Sequence, residues 1–165
     1  MRREKGFTLM ELLIVIAIIL IIAAITIPSL INAKINADEA SAVGSIRAIA
    51  QSEVQYLATY GGYAESLANL GGAEPCSKSA ETACLLDQSL AGGVKSGYNF
   101  VAVGNDPANG LNTGYFIAAA PLVFDRTGKR IFCSSDKGVI RVDLNAGEST
   151  TPPTAEQCAG FGALQ

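Results

Sequence analysis

The sequence contains no histidine and no tryptophan, and only 16% of its 165 residues are charged. Without histidine there is no Ser-His or Cys-His nucleophile pair and no imidazole general base. Gly128-Lys129 lacks the upstream glycine of a phosphate-binding loop, so no nucleotide motif is present. No Cys-x-x-Cys pair occurs, and Asp106 and Asp125 lack calcium-loop spacing. These absences argue against an enzyme and predict no cofactor and no bound metal.

The sequence also lacks an excess of basic residues. It has 15 acidic against 12 basic residues, a formal charge of −3. Nucleic-acid-binding domains usually carry a basic surface. We therefore expect no nucleic-acid partner.

The main feature that is present is a long apolar run near the N terminus. From Leu12 to Ile31 the chain carries no charge, and about 20 apolar residues form a helix long enough to cross a bilayer. A cleavable secretory signal has a shorter apolar core and a small-x-small cut site, which this run does not offer. A plain single-span anchor fits the hydrophobicity equally well. It does not explain Glu11, since a carboxylate beside a membrane segment is costly and marks a functional candidate.

The basic residues predict the orientation of this segment. Arg2, Arg3 and Lys5 lie on its N-terminal side, and only Lys34 is close on the other side. Positive residues favour the cytoplasmic side, so the N terminus is expected inside and the following domain outside. Pro28 near the end of the run predicts a local bend in the helix.

Residues 5–15, KGFTLMELLIV, resemble the N-terminal signal of type IV prepilins and type II secretion pseudopilins. The resemblance implies that a prepilin peptidase cuts between Gly6 and Phe7 and that the new N-terminal Phe7 is methylated. It also implies that Glu11, then fifth in the mature chain, pairs with the amine of a neighbouring copy. Pro28 falls where many pilins have a helix-bending proline.

The family resemblance implies a structural subunit of a type IV pilus. Such a subunit inserts in the bacterial inner membrane, is cleaved, and polymerises through its N-terminal helix into an extracellular filament. Its implied partners are other copies of the chain, prepilin peptidase, the lipid bilayer before assembly, and an assembly machinery with a separate ATPase. Two alternatives stay open: a type II secretion pseudopilin, and an uncut single-span anchor carrying a periplasmic binding domain.

Cysteines are few, and all four follow the apolar run. They are Cys76, Cys84, Cys133 and Cys158. An even number in an exported domain predicts two disulfides, with three possible connectivities. We favour Cys76–Cys84, because these two lie close together in one irregular segment. Cys158 then remains to tie the C-terminal tail to the strand that carries Cys133.

Helical periodicity continues beyond the apolar run. The apolar positions are Ile35, Ala42, Val43, Ile46, Ile49, Ala50, Val54 and Leu57. The intervening positions, assigned to solvent, include Lys34, Asp38, Glu39, Arg47, Gln51 and Glu53. The pattern predicts one helix from about Phe7 to Tyr60, ended by Gly61-Gly62. A short helical turn is expected within residues 63–70.

The C-terminal half has the pattern of short strands. They are predicted at Tyr98–Gly104, Thr113–Ala119, Arg130–Cys133 and Val139–Val142, with 105–110 as a loop. The fold class is therefore α+β: a long N-terminal helix, half membrane segment and half amphipathic, packed on an antiparallel sheet of about four strands. The predicted organisation is a leader (1–6), a membrane and filament-core helix (7–31) and an extracytoplasmic domain (32–165). That domain comprises the helix to about residue 60, a connection (61–96), the sheet (97–143) and the tail (144–165).

Overall fold

The computed structural model describes residues 6–73, 75–144 and 147–164, so residues 1–5 of the predicted leader lie outside the described residues. Contacts divide the chain into two units, one ending at Lys34 and one beginning at Ile35. The described elements are helix α1 (Leu9–Tyr60), a 3₁₀ turn (Leu67–Leu70), helix α2 (Gln88–Ala91), strands β1 (Val94–Lys95), β2 (Tyr98–Ala108), β3 (Leu111–Pro121), β4 (Ile131–Ser135) and β5 (Arg141–Asp143), helix α3 (Ala155–Ala159) and strand β6 (Gly162–Ala163). The mixed α+β class is confirmed.

Helix α1 ends at Tyr60, where the two glycines predicted a stop. Gly61 has a φ of 81°, a left-handed conformation that glycine adopts without a Cβ clash. Its N–H donates to the carbonyl of Leu57 at 2.9 Å. The predicted turn in the following segment forms as the 3₁₀ turn at Leu67–Leu70.

The buried face of α1 in the second unit differs from the predicted stripe. Seven of its nine buried residues recur at alternating steps of four and three: Ile35, Glu39, Ala42, Ile46, Ile49, Glu53 and Tyr56; Ser45 and Ser52 are the other two. Val54, expected on this face, is 56% exposed. The assignment of Glu39 and Glu53 to solvent is wrong, because both carboxylates lie on the face that packs against the rest of the domain.

Glu39 is buried because other elements satisfy its carboxylate. Its Oε1 accepts from the backbone N–H of Lys129 at 2.8 Å and of Arg130 at 3.2 Å. Its Oε2 accepts from Nε of Arg130 at 2.7 Å, within an ion pair between the two side chains. A buried charge is tolerated when it is paired and hydrogen-bonded in this way. Glu39 thus joins α1 to the start of β4.

Within the described residues the sheet has six strands in the order β1-β2-β3-β4-β5-β6, and all neighbours are antiparallel. The expectation of about four strands was too low, since β1 and β6 flank the predicted set. The predicted loop at 105–110 is also wrong. Strands β2 and β3 continue to a two-residue turn at Asn109-Gly110, where both φ angles are positive, as tight hairpin turns require.

Both faces of the central sheet are covered. One face packs on α1 in the main core, through residues such as Phe100, Ile117 and Phe132. The other face carries a smaller cluster of Phe116, Ala118, Cys133 and Cys158, with Phe161 against it. Because Cys158 of α3 and Phe161 pack on this second face, residues 114–121 of β3 are buried without alternation.

Disulfides join Cys76 to Cys84 and Cys133 to Cys158, the pairs favoured from the sequence. The Cys133–Cys158 bond fixes the tail on the outer face of the sheet.

We expect the double replacement of Cys133 and Cys158 by alanine to lower the free energy of unfolding by about 3.5 kcal/mol. The same change at Cys76 and Cys84 is expected to cost about 2.5 kcal/mol, since the sequence separations are 25 and 8. Urea unfolding measures both values, and non-reducing peptide mapping that finds Cys76 joined to Cys133 would contradict the pairing.

Gly44 weakens α1 without a packing reason within the chain. A Cβ at this exposed position would have no atom within 4 Å. Alanine is better than glycine inside a helix by roughly 0.5–1 kcal/mol. We therefore expect Gly44→Ala to raise the unfolding free energy by that amount in urea titrations of the full chain in detergent. Gly61→Ala, at a positive φ, is the matched change and should lower it, so a loss of stability in both variants would contradict this account.

Candidate functional site

The first turn of α1 is closed by a reciprocal pair of side chains. The hydroxyl of Thr8 accepts from the backbone N–H of Glu11 at 3.2 Å. In return, Oε2 of Glu11 accepts from the backbone N–H of Thr8 at 2.9 Å and from its hydroxyl at 2.8 Å. This is a capping box, which satisfies N–H groups that a helix start leaves without partners. Glu11 therefore has a local structural role that the sequence reasoning missed.

The helix surface that follows is apolar and exposed throughout. Of the side chains from Phe7 to Lys34, only one is even half-buried in the structure. The segment is long and apolar enough to cross a membrane by length and composition. At about 1.5 Å per residue, Leu12–Ile31 spans roughly 30 Å, the thickness of a bilayer's hydrocarbon core. Such a continuous apolar surface requires lipid or other apolar helices around it.

One polar side chain inside this surface, that of Thr26, is satisfied by the helix itself. The hydroxyl of Thr26 donates to the carbonyl of Ile22 at 2.8 Å, which suits a non-aqueous environment. Pro28 lies within α1 and has no N–H to donate to the carbonyl of Ala24. The backbone ladder is therefore weakened at this point, where the sequence predicted a bend.

Gly6 lies before the helix and is exposed. A Cβ built at this position has no atom of the described residues within 4 Å, and the φ of Gly6 lies outside the left-handed region. The fold therefore does not require glycine at position 6. The following residue, Phe7, is 84% exposed, so both sides of the predicted cut between Gly6 and Phe7 are accessible.

A second carboxyl, Glu53 of α1, is completely buried in the second unit. Its Oε2 accepts from the backbone N–H of Ala64 at 3.0 Å, and Oε1 has no hydrogen-bond partner among the described residues. Burial raises the pKa of Glu53 to about 7, and the bond from Ala64 opposes this rise. Among the described residues, Tyr56 and Tyr115 interact electrostatically with Glu53.

This raised pKa predicts pH-dependent stability. Because the folded carboxyl binds its proton more tightly than an unfolded glutamate of pKa 4.5, its contribution is complete below pH about 4.5 and lost as the pH rises through 7. We expect the unfolding free energy to fall by about 3 kcal/mol over this range. Glu53→Gln should remove that dependence in urea titrations between pH 4.5 and 8. A wild-type profile as flat as that of Glu53→Gln would refute it.

The carboxyl of Asp87 has the opposite effect on the pH dependence of stability, and it acts below the pH range in which Glu53 titrates. Hydrogen bonds from Lys95, Ser89 and the backbone of Leu90 hold the pKa of Asp87 well below its usual value. A depressed carboxyl contributes stability that is lost as the pH falls below the unfolded pKa of about 4. The scan from pH 4.5 to 8 therefore separates Glu53 from Asp87.

The structure distributes the predicted functional residues over the two units. Gly6, Phe7 and Glu11 lie at the start of α1, and Pro28 lies further along the same helix. The four cysteines lie in the second unit and are bonded in pairs. Thr8 was not predicted, although the order Thr-x-x-Glu before an apolar run is a recognisable capping-box signal.

Comparison with known proteins defines the class of the N-terminal segment. Residues 1–27 match the family model described as the prokaryotic N-terminal methylation motif. The chain therefore carries this motif, and the resemblance drawn from residues 5–15 is confirmed.

Curated relatives match the same end of the chain. One is the type IV wide pilus major component PilA4 of Thermus thermophilus, 62% identical over 39 residues, which are 24% of this chain and 30% of that protein. Type II secretion system core protein G of Dickeya chrysanthemi is 42% identical over 48 residues, 29% of this chain and 31% of the relative. Core protein G of Aeromonas hydrophila is 44% identical over 48 residues, 29% of this chain and 34% of the relative. The matches thus span about a third of each relative, and no solved structure matches the chain.

Proposed function

We propose that this chain is a structural subunit of a type IV pilus. The observation that carries the proposal is the methylation motif over residues 1–27, which covers most of the exposed apolar segment of α1. A folded α+β domain with two disulfides follows that segment. An exported, disulfide-bonded domain attached to an apolar helical segment is the architecture expected of a filament subunit.

Maturation begins with removal of the leader. The precursor is held in the inner membrane by Phe7–Ile31, with the N terminus in the cytoplasm and residues 32–165 outside. Prepilin peptidase removes Met1–Gly6 and methylates the amine of Phe7. Cleavage leaves 9 basic and 14 acidic residues, a formal charge of −5.

Assembly then gathers the apolar helices of many copies into a filament core. The apolar surface of α1 moves from lipid to protein, and Glu11 pairs with the Phe7 amine of a neighbouring copy. Pro28 weakens the backbone ladder of α1 locally, which allows the helix to adapt as the subunit leaves the membrane. The sequence has no phosphate-binding loop, so the energy for assembly comes from a separate ATPase in the machinery.

The direct test is imaging of the cell surface. We expect immunogold electron microscopy, with antibody against residues 32–165, to label extracellular filaments along their length. Cells that lack the gene are the control. An uncut anchor carrying a periplasmic domain would remain in the membrane fraction at full length and leave filaments unlabelled, which would reject the proposal.

A type II secretion pseudopilin is the second candidate, because two of the relatives are core protein G of that system. It would share the same processing and helix packing but form a short periplasmic filament. The higher identity to a wide pilus component and the tail fixed by Cys133–Cys158 favour the pilus. Labelled filaments confined to the periplasm, together with loss of protein secretion in a deletion strain, would favour the pseudopilin.

A further inference from the structure

A recess lined by tyrosines lies in the second unit. Its lining includes Tyr56 and Tyr60 from the last turns of α1 and Tyr63 just after it. Glu65 and Glu81 contribute two carboxylates. The cavity has a volume of about 540 Å³, enough for a small organic molecule. We call these five residues and the space between them the tyrosine recess.

The aromatic rings of the tyrosine recess are held in place. The ring centroids of Tyr56 and Tyr60 are 4.6 Å apart, and Tyr63 packs edge-on against Tyr115 at 4.9 Å. The hydroxyl of Tyr56 donates to the carbonyl of Ala80 at 2.7 Å. Because these contacts exist before any ligand binds, little conformational entropy is lost when the recess is filled.

The electrostatic character of the recess is negative. Glu65 and Glu81 are both exposed, and the described lining contains no lysine or arginine. The pKa of Tyr56 is raised, first by burial and then by Tyr60 and the carboxylates of Glu53, Glu81 and Glu65. Tyrosine rings present negative π faces to a ligand, so the rings and the carboxylates attract the same kind of group.

We propose that the tyrosine recess binds the head of an organic cation, a substituted ammonium or a guanidinium. Such a cationic head is weakly hydrated, so it loses little hydration free energy on binding. It is attracted electrostatically by both the π faces and the carboxylates. A hard metal ion fits less well, since no cluster of three potential metal ligands occurs among the described residues. The proposal does not depend on filament formation.

The chain offers a direct optical test. It has five tyrosines and no tryptophan, so its intrinsic fluorescence comes mainly from tyrosine. Three of the five tyrosines line the recess. We expect choline to change the tyrosine emission of the full chain in a maltoside detergent, saturating in the millimolar range. The uncharged isostere 3,3-dimethylbutan-1-ol, of the same shape, should have no saturable effect. Equal responses to the two compounds would overturn the proposal, because shape and apolar contact would then suffice.

Variants separate the recess from the overall charge of the protein. Glu65→Gln with Glu81→Gln is expected to raise the choline dissociation constant about tenfold. The matched control, Glu148→Gln with Glu156→Gln, changes the net charge equally at exposed positions in the tail and should leave binding unchanged. Tyr60→Leu should also weaken binding, with circular dichroism to check the fold. Unchanged affinity in the Glu65/Glu81 variant would overturn the proposal whatever Tyr60→Leu does.

The cation can come from solution or from a basic side chain of a second copy, and sedimentation distinguishes the two. If a second copy fills the recess, choline should dissociate associated chains of the wild type. The Glu65/Glu81 variant should then sediment as separate chains without choline. If the cation comes from solution, choline binds with no change in sedimentation.

Discussion

Replacement of Gly6 by leucine is expected to abolish cleavage almost completely and to leave full-length precursor in the membrane. A Cβ at this position has no neighbour within 4 Å in the part of the chain that the structure describes. The fold should therefore be unaffected, and the loss should report on recognition by the peptidase alone. Intact mass and N-terminal sequencing of the membrane fraction measure the effect, with wild-type chains expected to begin at Phe7.

A matched control makes this result specific. Gly44→Leu also places a side chain at an exposed glycine with open space around it, and it should be processed normally. Met1 retained on wild-type chains within assembled filaments would refute the proposed cut. A mature start near Lys34 would instead indicate removal of the whole apolar run as a secretory signal.

Much of the second unit follows from local sequence signals. The Gly61-Gly62 pair ends α1 where expected, because one glycine must adopt a left-handed conformation there. Four of the six strands were located. Strands β2, β3 and β4 contain aromatic and β-branched residues, whereas β5 was found from Val139 and Ile140, which lie just before it. Strands β1 and β6 have two residues each, too few for any alternation, and they form only because a longer neighbour provides hydrogen bonds.

The extent of β2 and β3 was underestimated for a different reason. Asn105, Asp106 and Pro107 favour turns individually, yet they continue the β2 strand. The Asn109-Gly110 turn pairs Ala108 with Leu111 and Pro107 with Asn112. Long-range pairing thus overrides local preference, which a single sequence does not reveal.

The buried glutamates show a second limit. Hydropathy assigns Glu39 and Glu53 to solvent, but both continue the alternating four- and three-residue spacing of the buried face. Glu39 is stabilised there by the side chain of Arg130 and by the backbone N–H groups of Lys129 and Arg130, which are 90 and 91 residues away in the sequence. For a charged residue at the helical spacing of a buried face, the spacing therefore predicts burial better than the polarity of the side chain does.

Loss of the Glu11 carboxylate is expected to reduce filament assembly by a factor of about 100 or more, since leaving one partner of a buried ion pair alone costs about 3 kcal/mol or more. In a bundle of apolar helices, this carboxylate would face the Phe7 amine of a neighbouring copy. In the proposed filament that pairing would join two copies and would set the axial stagger as each subunit is added. We expect Glu11→Leu to insert in the membrane and fold its outer domain normally while failing to assemble.

The capping box gives Glu11 a second role that must be separated from the first. Glu11→Gln retains a residue that can close a capping box but removes the charge. Thr8→Ala removes the capping hydroxyl but keeps the carboxylate. If the charge acts between copies, Glu11→Gln should fail to form filaments and Thr8→Ala should form them, as counted by electron microscopy in strains where each variant is the only subunit. The reverse pattern, filaments from Glu11→Gln but not from Thr8→Ala, would reduce Glu11 to a helix cap.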